Sequence, residues 1–159
     1  MSLDVANGSG TPGICEGPGN DAPLILVAED EESSRSALCE ILRESGFRAV
    51  GVADGWELVE MVGMVSPDAV VLDLAMPRLN GMQAAAALRS DPRTRDLKIV
   101  AITASWLGEC AELLAAAGFD AGLRKPCTGG QLVAELRRVL TRGAKVAGSG
   151  APASPGGRW

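Results

Sequence analysis

Five side chains in this 159-residue chain have the types needed to handle a phosphoryl group and a divalent cation. Glu29 and Asp30 open the run EDEE, Asp73 closes AVVLD, Thr103 closes KIVAIT, and Lys125 stands before Pro126 in AGLRKP. Carboxylates held within a few ångströms of one another repel unless a cation lies among them. Mg²⁺ suits such a place: it demands oxygen ligands in octahedral geometry, keeps several waters and takes only one or two carboxylates. Asp30 and Asp73 are the expected ligands. Glu29 is expected to act through a water or from behind them, and the backbone carbonyl of Ala75 to complete the protein's share. An aspartate held beside such an ion can attack phosphorus and form an acyl phosphate. Lys125 and the Thr103 hydroxyl would hold the remaining phosphoryl oxygens.

Taken singly, each residue has a plainer explanation. The acids of EDEE suit the positive N-terminus of a helix, Asp73 could cap a turn, and Thr103 could cap a helix opening at Ala104, with Ser105 competing for that role. Lys125 alone would be a solvated lysine. Together they make coincidence the weaker account, because of where the surrounding elements deliver them.

Those elements are short aliphatic runs at Leu24–Ala28, Arg48–Val52, Ala69–Asp73, Lys98–Thr103 and Ala121–Arg124, separated by segments of helical spacing. Leu38, Ile41 and Leu42 share one helical face, and Leu132, Leu136 and Leu140 another. Gly46 and Gly118 follow apolar helical stretches, as glycines at helix C-termini do. Asp54 with Glu57 and Thr128 with Gln131 have the spacing of capping boxes. The pattern is an α/β (βα)5 chain. Runs such as LILVA and AVVLD are apolar on both faces, which suits a doubly wound parallel five-stranded sheet covered by helices on each side. In such a sheet the strand ends gather at one rim, where ligands bind.

Charge and composition exclude other classes. With 47% hydrophobic and 22% charged residues the chain reads as globular, and a net charge of −5 without a basic cluster gives no footprint for nucleic acid. There is no histidine, so no serine or cysteine nucleophile has a histidine base. Cys15, Cys39, Cys110 and Cys127 form no CxxC pair and read as reduced thiols. No membrane-spanning run or signal segment is recognisable, and the expected location is cytoplasmic. Residues 1–22 and 143–159 read as flexible tails around a domain over 23–142.

Over roughly residues 23–141 the sequence resembles a response-regulator receiver domain of two-component signalling. The matching motifs are Glu29-Asp30 after the first strand, Asp73 in VVLDLAMPRLNG with its MPxxxG, Thr103 in AITAS, and Lys125-Pro126 after the fifth strand. The resemblance implies a flavodoxin-like strand order 2-1-3-4-5 and Mg²⁺ as cofactor. It implies phosphorylation of Asp73 by a histidine kinase or a histidine phosphotransfer protein. With only a tail after the fifth helix, a stand-alone protein is expected, read by another protein through the fourth helix, fifth strand and fifth helix.

One departure bears on output. Receivers usually carry an aromatic residue in the fifth strand where this chain has Gly122, so the usual coupling of threonine and ring is not expected. Trp106 is expected to pack half-buried near the start of the fourth helix, or to meet a partner. Arg78, in the loop after Asp73, reads as a solvated side chain, placed to touch a kinase or an incoming phosphate. Ala75 and Ser105 are small and leave the approach to phosphorus open. Three competing readings are weaker. An aspartate-nucleophile phosphatase needs an acid where Ala75 stands. A flavin binder needs a phosphate-cradling loop where EDEESSR is acidic. A receiver-like interaction module without phosphorylation leaves the full set of site residues without a purpose.

Overall fold

All five apolar runs are strands: β1 (Leu24–Ala28), β2 (Arg48–Val52), β3 (Ala69–Asp73), β4 (Lys98–Thr103) and β5 (Ala121–Arg124). They alternate with α1 (Glu32–Glu44), α2 (Gly55–Val65), α3 (Gly81–Ser90), α4 (Cys110–Ala116) and α5 (Gly129–Gly143). The computed structural model describes residues 19–104 and 110–143. The sheet is parallel throughout with order β2-β1-β3-β4-β5. The register aligns Ala28 with Leu72, Asp73 with Ile102, and Thr103 with Arg124. Successive strands therefore finish at one rim, and the residue after each finish is delivered there.

The strand alternation sorts the core into two layers. Ile25, Val27, Val71 and Ile102 face a cluster with Leu42 of α1 and Leu132 and Leu136 of α5. Leu26, Ala28, Val70 and Leu72 face the other way, onto Leu58 and Val62 of α2, Ala84 and Leu88 of α3, and Leu114 of α4. β1 and β3 are buried along their whole length because both faces are covered. Phe47 and Phe119, each following a helix-ending glycine, lie in these cores at 4% exposure. Gly46 and Gly118 have φ of 97° and 95°, the left-handed conformation that ends a helix without Cβ strain.

The helix starts differ in detail from the sequence reading. Asp54 caps α2 by accepting from the Glu57 N–H at 2.9 Å, but Glu57 returns its bond to Ala53, one residue before the cap. Thr128 and Gln131 exchange both bonds of a capping box ahead of α5. Asn80 and Gln83 do the same for α3. Glu31 caps α1, accepting from the Ser33 and Ser34 N–H groups. Thr103 is the last residue of β4 and Ala104 is a bend, so no helix opens there; the described part of α4 starts at Cys110. Ser105 and Trp106, and residues 1–18 and 144–159 of the expected tails, lie outside the described residues. Among the described residues no helix is long and apolar enough to cross a membrane.

Candidate functional site

β1 hands the chain to Glu29, whose N–H still donates to the Val52 carbonyl at 3.1 Å, extending the ladder by one residue. That fixes the glutamate side chain inward, at 2% exposure. Its Oε2 accepts from Lys125 Nζ at 2.6 Å, and its Oε1 from the Glu31 N–H at 3.3 Å. Asp73 is 6% exposed; its Oδ2 accepts from the same Lys125 Nζ at 3.1 Å and its Oδ1 from the Ala75 N–H at 3.0 Å. The aspartate thus does close a turn, as its plainer reading had it, while keeping the other oxygen on the rim. Lys125 is positioned by its own backbone, whose N–H donates to the Thr103 carbonyl at 2.8 Å and ties the ends of β4 and β5. Thr103 is 2% exposed. The peptide bond joining Lys125 to Pro126 is cis.

Asp30 is exposed, yet its carboxylate joins the group: Glu29, Asp30 and Asp73 each offer an oxygen within 4.8 Å of the others. Within the group Glu29 is buried and bonded to Lys125, whereas Asp30 faces solvent. Three carboxylates and one ammonium leave an excess of negative charge in a partly buried place. Burial raises the Glu29 pKa first of all, with the neighbouring Asp73 adding to it and the Lys125 bond opposing. For Lys125, burial favours the neutral amine, but the bonds to Glu29 and Asp73 outweigh it and raise the pKa. An all-oxygen donor set with surplus negative charge fits a hard divalent cation such as Mg²⁺.

The loop after Asp73 is held by close backbone approach. A Cβ on Gly81 would stand 2.6 Å from the Asp73 carbonyl oxygen and 2.7 Å from Leu74 Cα, so only glycine lets α3 start this near the acceptor. That is the physical content of the final glycine in MPxxxG. Gly55, at the start of α2, lies against the Leu79 carbonyl in the same way. Arg78, with φ of 67°, is solvent-exposed and pairs its guanidinium with Asp54 at 3.2 Å. Gly122 is buried and pairs with Ala101 across β4 and β5, so its position carries no ring.

Beside Lys125 an open groove of about 480 Å³ runs between α1 and the β5–α5 connection. Ala37, Leu38, Ile41, Ile102 and Pro126 line it, and Glu29 and Lys125 stand at its edge. Cys127 also borders it, a free thiol whose pKa burial raises; Cys39 is free and buried.

A parallel 2-1-3-4-5 sheet with an acidic triad, a threonine and a lysine on its carboxyl rim defines a class of α/β domain built around a strand-end aspartate. The chain belongs to the response regulator receiver domain family, whose model matches residues 25–137. Among curated relatives, the transcriptional regulatory protein PdtaR of Mycobacterium tuberculosis is 37% identical over 132 residues, covering 79% of this chain and 63% of that protein. The response regulator MprA of Mycobacterium sp. is 36% identical, covering 81% of this chain and 55% of its own length. The chain thus spans between half and two thirds of these relatives. Among solved structures, a sensor protein from Polaromonas sp. matches with TM-score 0.72 and 31% identity, over 77% of this chain and 98% of that one. The receiver domain of a Pseudomonas aeruginosa sensor histidine kinase, described with a magnesium ion coordinated in its active-site cleft, matches with TM-score 0.70 and 30% identity, over 76% and 98%.

Proposed function

We propose that this receiver domain accepts a phosphoryl group on Asp73 from a phosphohistidine donor, with Mg²⁺ held by Glu29, Asp30 and Asp73. The observation that carries the reading is Lys125 Nζ reaching Glu29 at 2.6 Å and Asp73 at 3.1 Å within a group of three carboxylates. The 159 residues hold no histidine, so the donor imidazole lies outside them, in a histidine kinase or a phosphotransfer protein. Asp73 Oδ1 keeps its bond from the Ala75 N–H while Oδ2, released as Lys125 turns to the incoming phosphoryl group, attacks phosphorus; the P–O bond forms as the P–N bond breaks, and the electron pair leaves on the imidazole nitrogen. Lys125 is near enough to exchange its carboxylate partners for a phosphoryl oxygen, and Thr103 ends the adjacent strand. A cation held by these carboxylates, with the Ala75 carbonyl as a further oxygen ligand, would supply charge neutralisation for the incoming anion.

The apolar groove supports the same reading, since it opens onto Glu29 and Lys125 and could seat an amphipathic donor helix. The acyl phosphate adds roughly −1.5 to −2 charges at the rim, and a protein partner reads the change. A receiver-like module without phosphorylation is disfavoured by the buried acids, which cost stability and need a task. The test is incubation with a small phosphodonor and Mg²⁺, followed by intact mass. Wild type gains one phosphoryl group and Asp73→Asn gains none; equal labelling of both would overturn the assignment.

A further inference from the structure

The two acids Glu29 and Asp30 are joined by one peptide, and the orientation of that peptide decides whether Asp30 can face Glu29 and Asp73. Its N-terminal side is fixed by the ladder bond from Glu29 N–H to Val52. Its carbonyl is fixed from elsewhere: Arg35 Nη1, on the first turns of α1, donates to the Glu29 carbonyl at 2.9 Å. The arginine reaches there by laying its stem across β2 at Gly51. A Cβ at residue 51 would meet Arg35 Cγ at 2.7 Å and Cδ at 3.0 Å, with Cys39 Sγ at 3.2 Å behind. The missing side chain of Gly51 is thus the channel through which the guanidinium arrives.

We infer that Arg35, admitted by Gly51, is a positioning residue for the cation site, acting through the Glu29–Asp30 peptide and touching neither the ion nor the phosphoryl group. The inference rests on the reading of Glu29, Asp30 and Asp73 as the cation ligands. It makes a prediction opposite in sign to simple electrostatics. Arg35 is a cation close to an acidic site, so removing its charge alone should tighten Mg²⁺ binding. Removing its hold on the peptide should loosen it, by roughly tenfold, as loss of outer support for a ligand does.

Calorimetric Mg²⁺ titration of Arg35→Ala and Gly51→Ala separates the two effects. Gly51→Ala keeps the charge and displaces the stem, so its agreement with Arg35→Ala isolates position from charge. Both variants are expected to bind Mg²⁺ about tenfold more weakly than wild type, with Arg35→Lys between them and wild type. In metal-free protein the Asp30 backbone amide resonance should shift in both variants, since its peptide loses the same hydrogen bond. Tighter or unchanged Mg²⁺ binding in Arg35→Ala overturns the inference, and so does an Asp30 amide that stays in place, whichever variant folds. Wild type that binds no Mg²⁺ would instead overturn the cation-site reading itself, leaving the amide shift to judge the role of Arg35.

Discussion

Replacing Lys125 by methionine keeps the length of the side chain and deletes the ammonium that lies 2.6 Å from Glu29 and 3.1 Å from Asp73. Those side chains are 3% and 7% exposed, so little water can take the place of the lost cation. Removing one partner of a buried ion pair typically costs about 3–5 kcal/mol, because the other charge stays behind. The lysine side chain itself is 30% exposed, and screening reduces the figure to about 2–3 kcal/mol. For a domain of this size that lowers Tm by roughly 10 °C in the absence of metal. Mg²⁺ should reverse the loss, since it neutralises the same carboxylates. At a hundredfold excess over its Kd an ion stabilises a fold by about 2.7 kcal/mol. Relief of even half of the repulsion left by the substitution makes binding about tenfold tighter. The assay is thermal unfolding with and without Mg²⁺, paired with calorimetric titration. The variant should be less stable without metal, recover most of the difference with it, and bind Mg²⁺ more tightly while accepting phosphate poorly. A metal-free Tm equal to wild type, or weaker Mg²⁺ binding, would show that Lys125 does not balance these acids.

The remaining predictions follow the same geometry. The raised Glu29 pKa favours the metal-free fold below its unfolded value of 4.5, and that contribution is lost as pH rises through the raised folded value. Mg²⁺ needs the ionised carboxylate, so the Tm gained on adding Mg²⁺ should widen from pH 4.5 toward neutral; a constant gain contradicts the shift. Gly81→Ala forces a Cβ to within 2.6 Å of the Asp73 carbonyl oxygen and should cost about 1–3 kcal/mol by overpacking. Urea unfolding measures that cost, and phosphorylation should fall with it. Arg89→Ala removes bonds to the carbonyls of Gly118, Arg95 and Leu97 and to Asp120, at the opposite rim of the sheet. It should cost about 2–3 kcal/mol in the same urea experiment and leave Mg²⁺ affinity unchanged.

The strands were legible because both faces of a central parallel sheet are buried, which writes continuous aliphatic runs into the chain. The rim followed from them, since parallel strands must end together. Helix ends were legible where chemistry is specific, as at Gly46, Gly118 and the Thr128–Gln131 pair. They were less legible where it is not: glutamate is a poor cap by preference, so Glu31 looked like one acid among four at a helix start, and at Thr103 a cap was only the plainer of two alternatives. The support of the site was invisible for a different reason. Arg35 acts on a backbone carbonyl across a gap left by Gly51, and Arg78 pairs with Asp54 from another loop. Such contacts depend on where the fold brings side chains, and no local pattern records them. Gly122 was legible as an absence, and the sheet leaves that position buried between its neighbours without a ring.

The central claim is that the strand-end aspartate takes the phosphoryl group, and the direct measurement is chemical mapping of the acyl phosphate. After phosphorylation in the presence of Mg²⁺, borohydride reduction converts an acyl-phosphorylated aspartate to homoserine, which peptide mass spectrometry can locate. The conversion should fall at Asp73, require Mg²⁺, and leave Glu29 and Asp30 unmodified. Reduction at another carboxylate, or none under conditions where the protein gains phosphate, would contradict it.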